Sequence, residues 1–284
     1  MMPRSTAQRV FADRAARVLM VPAALLGIVV LTWILWEVVR RGAGALTPAF
    51  FTSLPAPPGA EGGGMANAIL GTLLMTAIAT GVGAPIGLLA GVFLAEFGAR
   101  SRLASVVRFT TNLLMGTPST IIGVFVYAVL VLPFGHFSGY AGAAALAIIM
   151  LPVVLRTTED MLNLVPNELR ESALALGSPR WKVTLAVVFR AAKTGLITGV
   201  LLAVARVSGE TAPLLFTSLN SFYWPESLNE PTANLTVTIY NYAMSPYADW
   251  QAKAWGASLL ITAAVLLAAV FGRLMLEGRR RRPC

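Results

Sequence analysis

The chain has 284 residues, of which 56% are hydrophobic and only 12% charged, half the roughly one quarter usual for a soluble domain, so a soluble globular fold is excluded and a bilayer is the natural solvent. A net charge of +9 would suit nucleic acid, but the cations sit at the ends of apolar runs and no basic face interleaved with aromatics is present, so nucleic acid is not expected as a partner. With one cysteine, Cys284, and one histidine, His136, the chain can form neither an internal disulfide nor a histidine-based metal cluster.

Uncharged runs at 62–95, 109–155 and 254–272 each reach the roughly 18 residues needed to cross the hydrocarbon, and the second is long enough to cross twice. Spans are therefore expected near 18–39, 67–95, 108–132, 140–157, 194–216 and 254–275, which makes the chain an all-α polytopic membrane protein. The first could be a signal peptide, since Arg4, Arg9, Arg14 and Arg17 precede it and Ala43-Gly44-Ala45 resembles a cleavage site. Its apolar stretch exceeds the 7–15 residues typical of a signal core, however, so an uncleaved anchor is expected, followed by an outer loop over 40–66. In the second span Gly81, Gly83, Gly87 and Gly91 suit close helix packing. The third is interrupted by Gly116-Thr117-Pro118-Ser119-Thr120, where a helix break would release backbone groups that need protein or a wet cavity. Thr117 and Ser119 are candidate anion contacts there, with simple kink chemistry as the alternative. Leu132 to Gly139 provides the fold-back, with His136 as a turn residue.

Six spans place both termini on one side. Residues 1–17, 97–108, 156–193 and 273–284 hold 18 of the chain's 22 lysines and arginines, so these segments, including the tail at 276–284, are expected to be cytoplasmic. Arg40 and Arg41 dissent on the outer side.

Arg206 lies near the middle of the expected fifth span and Glu210 one turn later on the same face. A charge at mid-depth costs about 2.5–3.5 kcal/mol even on insertion scales, so that face must line protein or water. Pro213 predicts a bend beside the pair. A guanidinium backed by the hydroxyls of Ser208 and Thr211 offers a planar fork to paired oxyanion oxygens, with Glu210 restraining it so that a bound anion can leave. A structural salt bridge is the alternative. Beyond this span, the 217–253 segment reads as an outer loop whose Phe222, Tyr223, Trp224, Tyr240, Tyr242, Tyr247 and Trp250 suit the membrane interface.

Between the fourth and fifth spans, 158–193 forms a polar insert. Pro166, Asn167 and Glu168 suit a helix start, Gly177 a left-handed stop, and Ser178-Pro179 a restart. Leu169, Ala173 and Leu176 form one apolar stripe, with Arg170 and Glu171 away from it. A helix, a glycine elbow and a helix can enter a partner's groove, and an ordinary amphipathic surface loop is the alternative.

Glu171-Ser172-Ala173, three residues and then Gly177 resemble the "EAA, three residues, G" signature of permease subunits of bacterial ATP-binding-cassette importers. Ser172 replaces an alanine of the signature, and Val187-Val188-Phe189-Arg190 replaces its later "I-x-L-P". Further matches at Arg156 to Met161, Leu164 to Arg170 and Ala205 to Thr217 are similar to the phosphate-importing branch, over about 65–275. The resemblance implies a type I importer permease fold in which Leu169, Glu171, Ser172, Ala173, Leu176 and Gly177 couple to an ATPase. It also implies a second permease subunit, an ATP-binding subunit dimer that holds ATP and Mg, and an extracytoplasmic phosphate-binding protein, in addition to membrane lipid. No cofactor is expected on this chain, and no catalytic residue: no G-x-x-x-x-G-K-[ST] loop, H-E-x-x-H helix or G-x-S-x-G elbow occurs. A permease for sulfate, molybdate or phosphonate, and a non-conducting scaffold or signalling subunit, remain as rivals.

Overall fold

The computed structural model describes residues 6–60, 62–98 and 101–280. Residues 1–5 of the N-terminal segment and 281–284 of the basic tail, with Cys284, lie outside the described residues. In chain order the helices are α1 (Thr6–Gly42), α2 (Pro48–Thr52), α3 (Ala66–Val92), α4 (Arg102–Gly116), α5 (Ser119–Val126), α6 (Leu132–Phe134), α7 (Gly139–Asn163), α8 (Asn167–Ala175), α9 (Arg180–Val183), α10 (Phe189–Ser208), α11 (Ala212–Thr217), α12 (Leu235–Ala243) and α13 (Ala248–Arg280). Wide π turns at Phe93–Phe97, Tyr127–Val131 and Thr184–Val188 extend α3, join α5 to α6, and join α9 to α10.

Among the described residues, five runs are long and apolar enough to cross a membrane: Arg17–Ala45, Ala66–Phe97, Gly139–Asn163, Arg180–Ser208 and Ala248–Val270. The pair Arg102–Gly116 and Ser119–Phe134, bent by 105°, makes a sixth when counted as one broken span. The third span expected over 108–132, with its interruption at Gly116–Thr120, is thus two helices. Ser101 starts the first half by accepting from the Ala104 amide at 3.0 Å. Thr117 then turns extended and Pro118 precedes α5, because a proline amide cannot continue the α4 ladder.

The bundle is built around α7, whose apolar window is 61% buried, against none for α1. Lipid tails are as apolar as leucine, so helices in a bilayer hold together by close packing rather than by exclusion of water. Gly83, Gly87 and Gly91 supply that closeness on α3. A Cβ at Gly87 would lie 2.8 Å from Val154 Cβ, and one at Gly91 2.5 Å from Thr158 Cβ, whereas Gly81 faces open space. These contacts advance together along α3 and α7, so the two run parallel, as alternate crossings should. On α10, Gly195 meets Met161 and Gly199 meets Thr157, which makes α10 antiparallel to α7. Met75, Ala79, Leu146, Met150, Ala203 and Val207 fill the shared core.

The segment read as an outer loop over 217–253 is more deeply built than its composition suggests. It contains α12, capped by Asn234, which accepts from the Val237 amide at 2.8 Å. Leu235, Thr236, Val237, Thr238 and Tyr242 on this helix are buried. Tyr242 and Trp250 do not anchor at a lipid interface: they stack on each other at 4.3 Å within the core, while Tyr223, Tyr240 and Tyr247 are exposed. The two dissenting outer cations are offset locally. Arg40 pairs with Glu37 at 2.8 Å, Arg41 also reaches Glu37, and Arg41 lies over the Trp255 ring at 5.1 Å. There Gly42 lets α1 touch α13 at Trp255 and Leu259.

Candidate functional site

The two helix interruptions expected from sequence face one another. A cavity of about 190 Å³ is lined by Leu114, Met115, Thr117, Pro118 and Ser119 from the α4–α5 break, by Ile149, Pro152 and Val153 of α7, and by Arg206 and Glu210 at the end of α10. Residues almost ninety positions apart thus share a wall. Ile149 to Val153 occupy the middle of α7, which places the cavity about halfway along the most buried span. The break in the fifth span is sharper than a bend: α10 stops at Ser208, and α11 restarts at Ala212 with Pro213 in its first turn. The first turn of α11 is held by α5, where Gly123 lies against Pro213 at a closeness only glycine permits. Thr236 of α12 donates to the Glu210 carbonyl at 2.7 Å, satisfying a backbone group that the break has released.

Arg206 sits in the last turn of α10, and its side chain is 55% exposed in the isolated chain, against 16% for Glu210. The Nε–Oε1 separation of 3.9 Å exceeds a hydrogen bond, so the pair attracts without locking the guanidinium. The hydroxyls divide differently. Thr117 donates to the Leu113 carbonyl at 2.7 Å and Ser208 to that of Ala205 at 2.9 Å, so each has spent its single proton locally. Ser208 lines a separate apolar cavity beside Thr72, Thr76 and Leu260. Thr211 precedes α11 without capping it through its side chain, and it does not line the Arg206 cavity. Arg206, Glu210, Thr117 and Ser119 come together; Ser208 and Thr211 stand apart. The cavity therefore offers a cation, a neighbouring carboxylate, the Ser119 hydroxyl and the first turn of α5, a set suited to passing contact with an anion.

The insert between α7 and α10 folds as a short helix, an elbow and a restart. Gly177 has φ +79°, and its amide reaches the Leu174 carbonyl at 2.9 Å while that of Ser178 reaches Ala173 at 3.4 Å. These two bonds form the Schellman closure that a left-handed glycine allows. Ser172 donates to the Glu168 carbonyl at 2.7 Å. The apolar stripe divides: Ala173 packs inward on Leu162, Val165 and Val183, whereas Leu169 and Leu176 are exposed, the latter by 87%. Glu171 and Gly177 are also exposed. From Arg180 to Ser208 the chain is one helical run, since no proline stands where the importer signature has one.

Two ion networks lay outside the sequence-based site. Glu159, 4% exposed, accepts from Arg108 Nε at 2.7 Å and lies 3.4 Å from Arg156 Nη1, tying α4 to α7. Arg170 of α8 reaches Glu96 in the first π turn at 2.8 Å. Both carboxylates stand at the edge of an apolar run, and the cations that bind them most closely, Arg108 for Glu159 and Arg170 for Glu96, lie 51 and 74 residues away. Among the described residues no group of three or more His, Cys, Asp and Glu side chains is placed to hold a metal ion.

Comparison with known proteins gives this geometry a lineage. The profile described as binding-protein-dependent transport system inner membrane component matches residues 83–281. The chain is 47% identical over 268 residues to the phosphate transport system permease protein PstA of Yersinia pestis, covering 94% of this chain and 91% of that one. It is 49% identical over 259 residues to PstA of Haemophilus influenzae, covering 91% of each. Among solved structures, a bacterial alginate ABC transporter in complex with an alginate pentasaccharide-bound periplasmic protein superposes with a TM-score of 0.66 at 12% identity, covering 99% of this chain and 100% of that one. The fold is accordingly that of a polytopic ABC importer permease, and the chain belongs to the binding-protein-dependent transport system inner membrane components, alongside the phosphate transport system permease proteins.

Proposed function

We propose that this chain is the membrane-embedded permease subunit of an ATP-driven importer of inorganic phosphate in the bacterial cytoplasmic membrane, with both termini on the cytoplasmic side. A second permease subunit like PstC completes the passage, and a PstB-like ATPase dimer binds ATP and Mg and drives the opening. A PstS-like phosphate-binding protein delivers from outside. The observation that carries the reading is the mid-span cavity joining Arg206, Glu210, Thr117 and Ser119, in a chain so similar to phosphate permeases.

In this reading Arg206 offers its uncommitted guanidinium to phosphate oxygens as the anion sheds water. Ser119, and Thr117 when it releases the Leu113 carbonyl, add hydroxyl donors. Glu210 keeps the anion from settling, because conduction needs an exit as well as an entrance. Leu169, Glu171, Ser172 and Leu176 dock on the ATPase, with Ala173 and Gly177 setting the shape of the insert. Its movement shifts the cavity between outward and inward access through different contacts in the two states.

Radiolabelled phosphate uptake by proteoliposomes of the reconstituted assembly tests this, with and without the chain and with competing anions. Uptake should require the chain and resist competition by sulfate, molybdate and phosphonate. Uptake without it would make the chain a scaffold or signalling subunit, and equal competition by another oxyanion would reassign the substrate.

A further inference from the structure

The most heavily bonded side chain of the insert is Arg170. Its guanidinium reaches Glu96 Oε1 from Nη2 at 2.8 Å and from Nε at 3.2 Å. Nη2 also donates to the Leu162 carbonyl at 2.7 Å, while Nη1 reaches the Val165 carbonyl and Asn167 Oδ1. All five N–H donors are committed, a load that the three donors of a lysine could not carry in one plane. The pair is withdrawn from water, with side-chain exposures of 17% for Arg170 and 10% for Glu96. Little else secures α8: Ala173 turns inward, while Leu169, Leu174 and Leu176 face out.

We propose that Arg170 and Glu96 form the joint through which α8 moves the transmembrane bundle. The guanidinium holds the end of α7 at the Leu162 carbonyl and the loop after it at the Val165 carbonyl, and through Glu96 it holds the π turn at Phe93–Phe97 that ends α3. The α3 and α7 helices pack closely through Gly83, Gly87 and Gly91, so a displacement of α8 reaches both as one body, and α7 carries it to the wall of the Arg206 cavity. Arg170 is a positioning residue: it touches neither substrate nor the ATPase, and its effect passes through helices it connects. A π turn, with its wider hydrogen-bond ring, is a suitable seat for the second anchor because it can tighten or relax locally.

The inference rests on the reading that α8 docks on the ATPase, so the experiment separates the two. The full importer is reconstituted with Cys284→Ser and Leu176→Cys in this chain, and α8 docking is scored by cross-linking to the ATPase, alongside phosphate moved per ATP hydrolysed. Glu96→Gln and Arg170→Lys should keep the cross-link and the ATPase rate while phosphate per ATP falls roughly 2- to 30-fold, the range of coupling changes seen along such connections. The combined variant should lose no more than the worse single one. Unchanged phosphate per ATP in either accumulating variant overturns the joint. So does failure of both to accumulate, which would make the pair a folding element. Absence of the cross-link in the parent protein overturns the docking reading instead.

Discussion

Replacing Arg206 with alanine separates an arginine that serves a passing anion from one that holds the fold. As a structural tie the residue is weak: among the described residues its only ionic neighbour is Glu210 at 3.9 Å, and its side chain is 55% exposed, a setting in which an ion pair contributes about 0–1 kcal/mol. Arg206→Ala should therefore accumulate and assemble at near-parent levels. As a phosphate contact the same residue supplies two charge-assisted hydrogen bonds, each worth about 1.5–3 kcal/mol. Even the lower values sum to about 3 kcal/mol, which at 1.36 kcal/mol per tenfold is a loss on the order of 100-fold in uptake rate. Arg206→Lys keeps the charge but not the fork, and should fall between the two. The assay is initial-rate uptake of radiolabelled phosphate into proteoliposomes at matched protein content. Uptake by the alanine form within a few-fold of the parent would remove Arg206 from the passage and refute the reasoning.

Three further outcomes follow from local geometry. In Gly91→Val the new Cβ would lie 2.5 Å from Thr158 Cβ and 2.7 Å from the Leu155 carbonyl. The overpacking should cost about 1–3 kcal/mol or more and appear as reduced accumulation and thermal stability in detergent, whereas Gly81→Val, facing open space, should behave as the parent. Gly177→Val forces a branched residue into φ +79° at about 1–2 kcal/mol, so it should disturb the insert and raise ATP hydrolysed per phosphate while the chain still inserts; parent-like coupling would count against the elbow. Burial of the Tyr242 phenol, with Asp249 nearby, pushes its pKa from 10 up to about 12. The folded state thus keeps a proton that the unfolded chain has lost: stability on the order of 2–3 kcal/mol is present below pH 10 and disappears as pH rises towards 12. Tyrosinate absorbance and thermal melts of the parent and Tyr242→Phe between pH 9 and 12 check this, and a flat difference between the two proteins would contradict it.

The elements that sequence made legible are those written in local chemistry. Uncharged length marked the spans, Thr117-Pro118 and Gly209-Pro213 marked the two interruptions, and Gly177 marked the elbow. What remained hidden depends on distance in space. Nothing in the chain order says that Ser119 and Arg206 share a cavity, or that the α4–α5 break turns through 105°. Nor does it reveal that Arg170, set aside because it lay off the apolar stripe, reaches a carboxylate 74 residues earlier. The α12 helix was missed because its tyrosines and threonines read as interface and loop, whereas Asn234 caps a helix that enters the core. Nor does chain order say how Arg206 is surrounded: mid-span charge demands water or protein, and in the isolated chain its guanidinium is 55% exposed beside the α4–α5 break.

The central claim is that the cavity bounded by Ser119 and Arg206 opens to water and to phosphate during the transport cycle. Cys284 is the only cysteine, so Cys284→Ser with Ser119→Cys gives a single thiol in the cavity wall. Its modification by a charged, membrane-impermeant thiosulfonate can then be followed in the reconstituted importer. The account predicts modification that changes with nucleotide state and is slowed by phosphate; a thiol that stays unreactive in every nucleotide state, with or without phosphate, would contradict it.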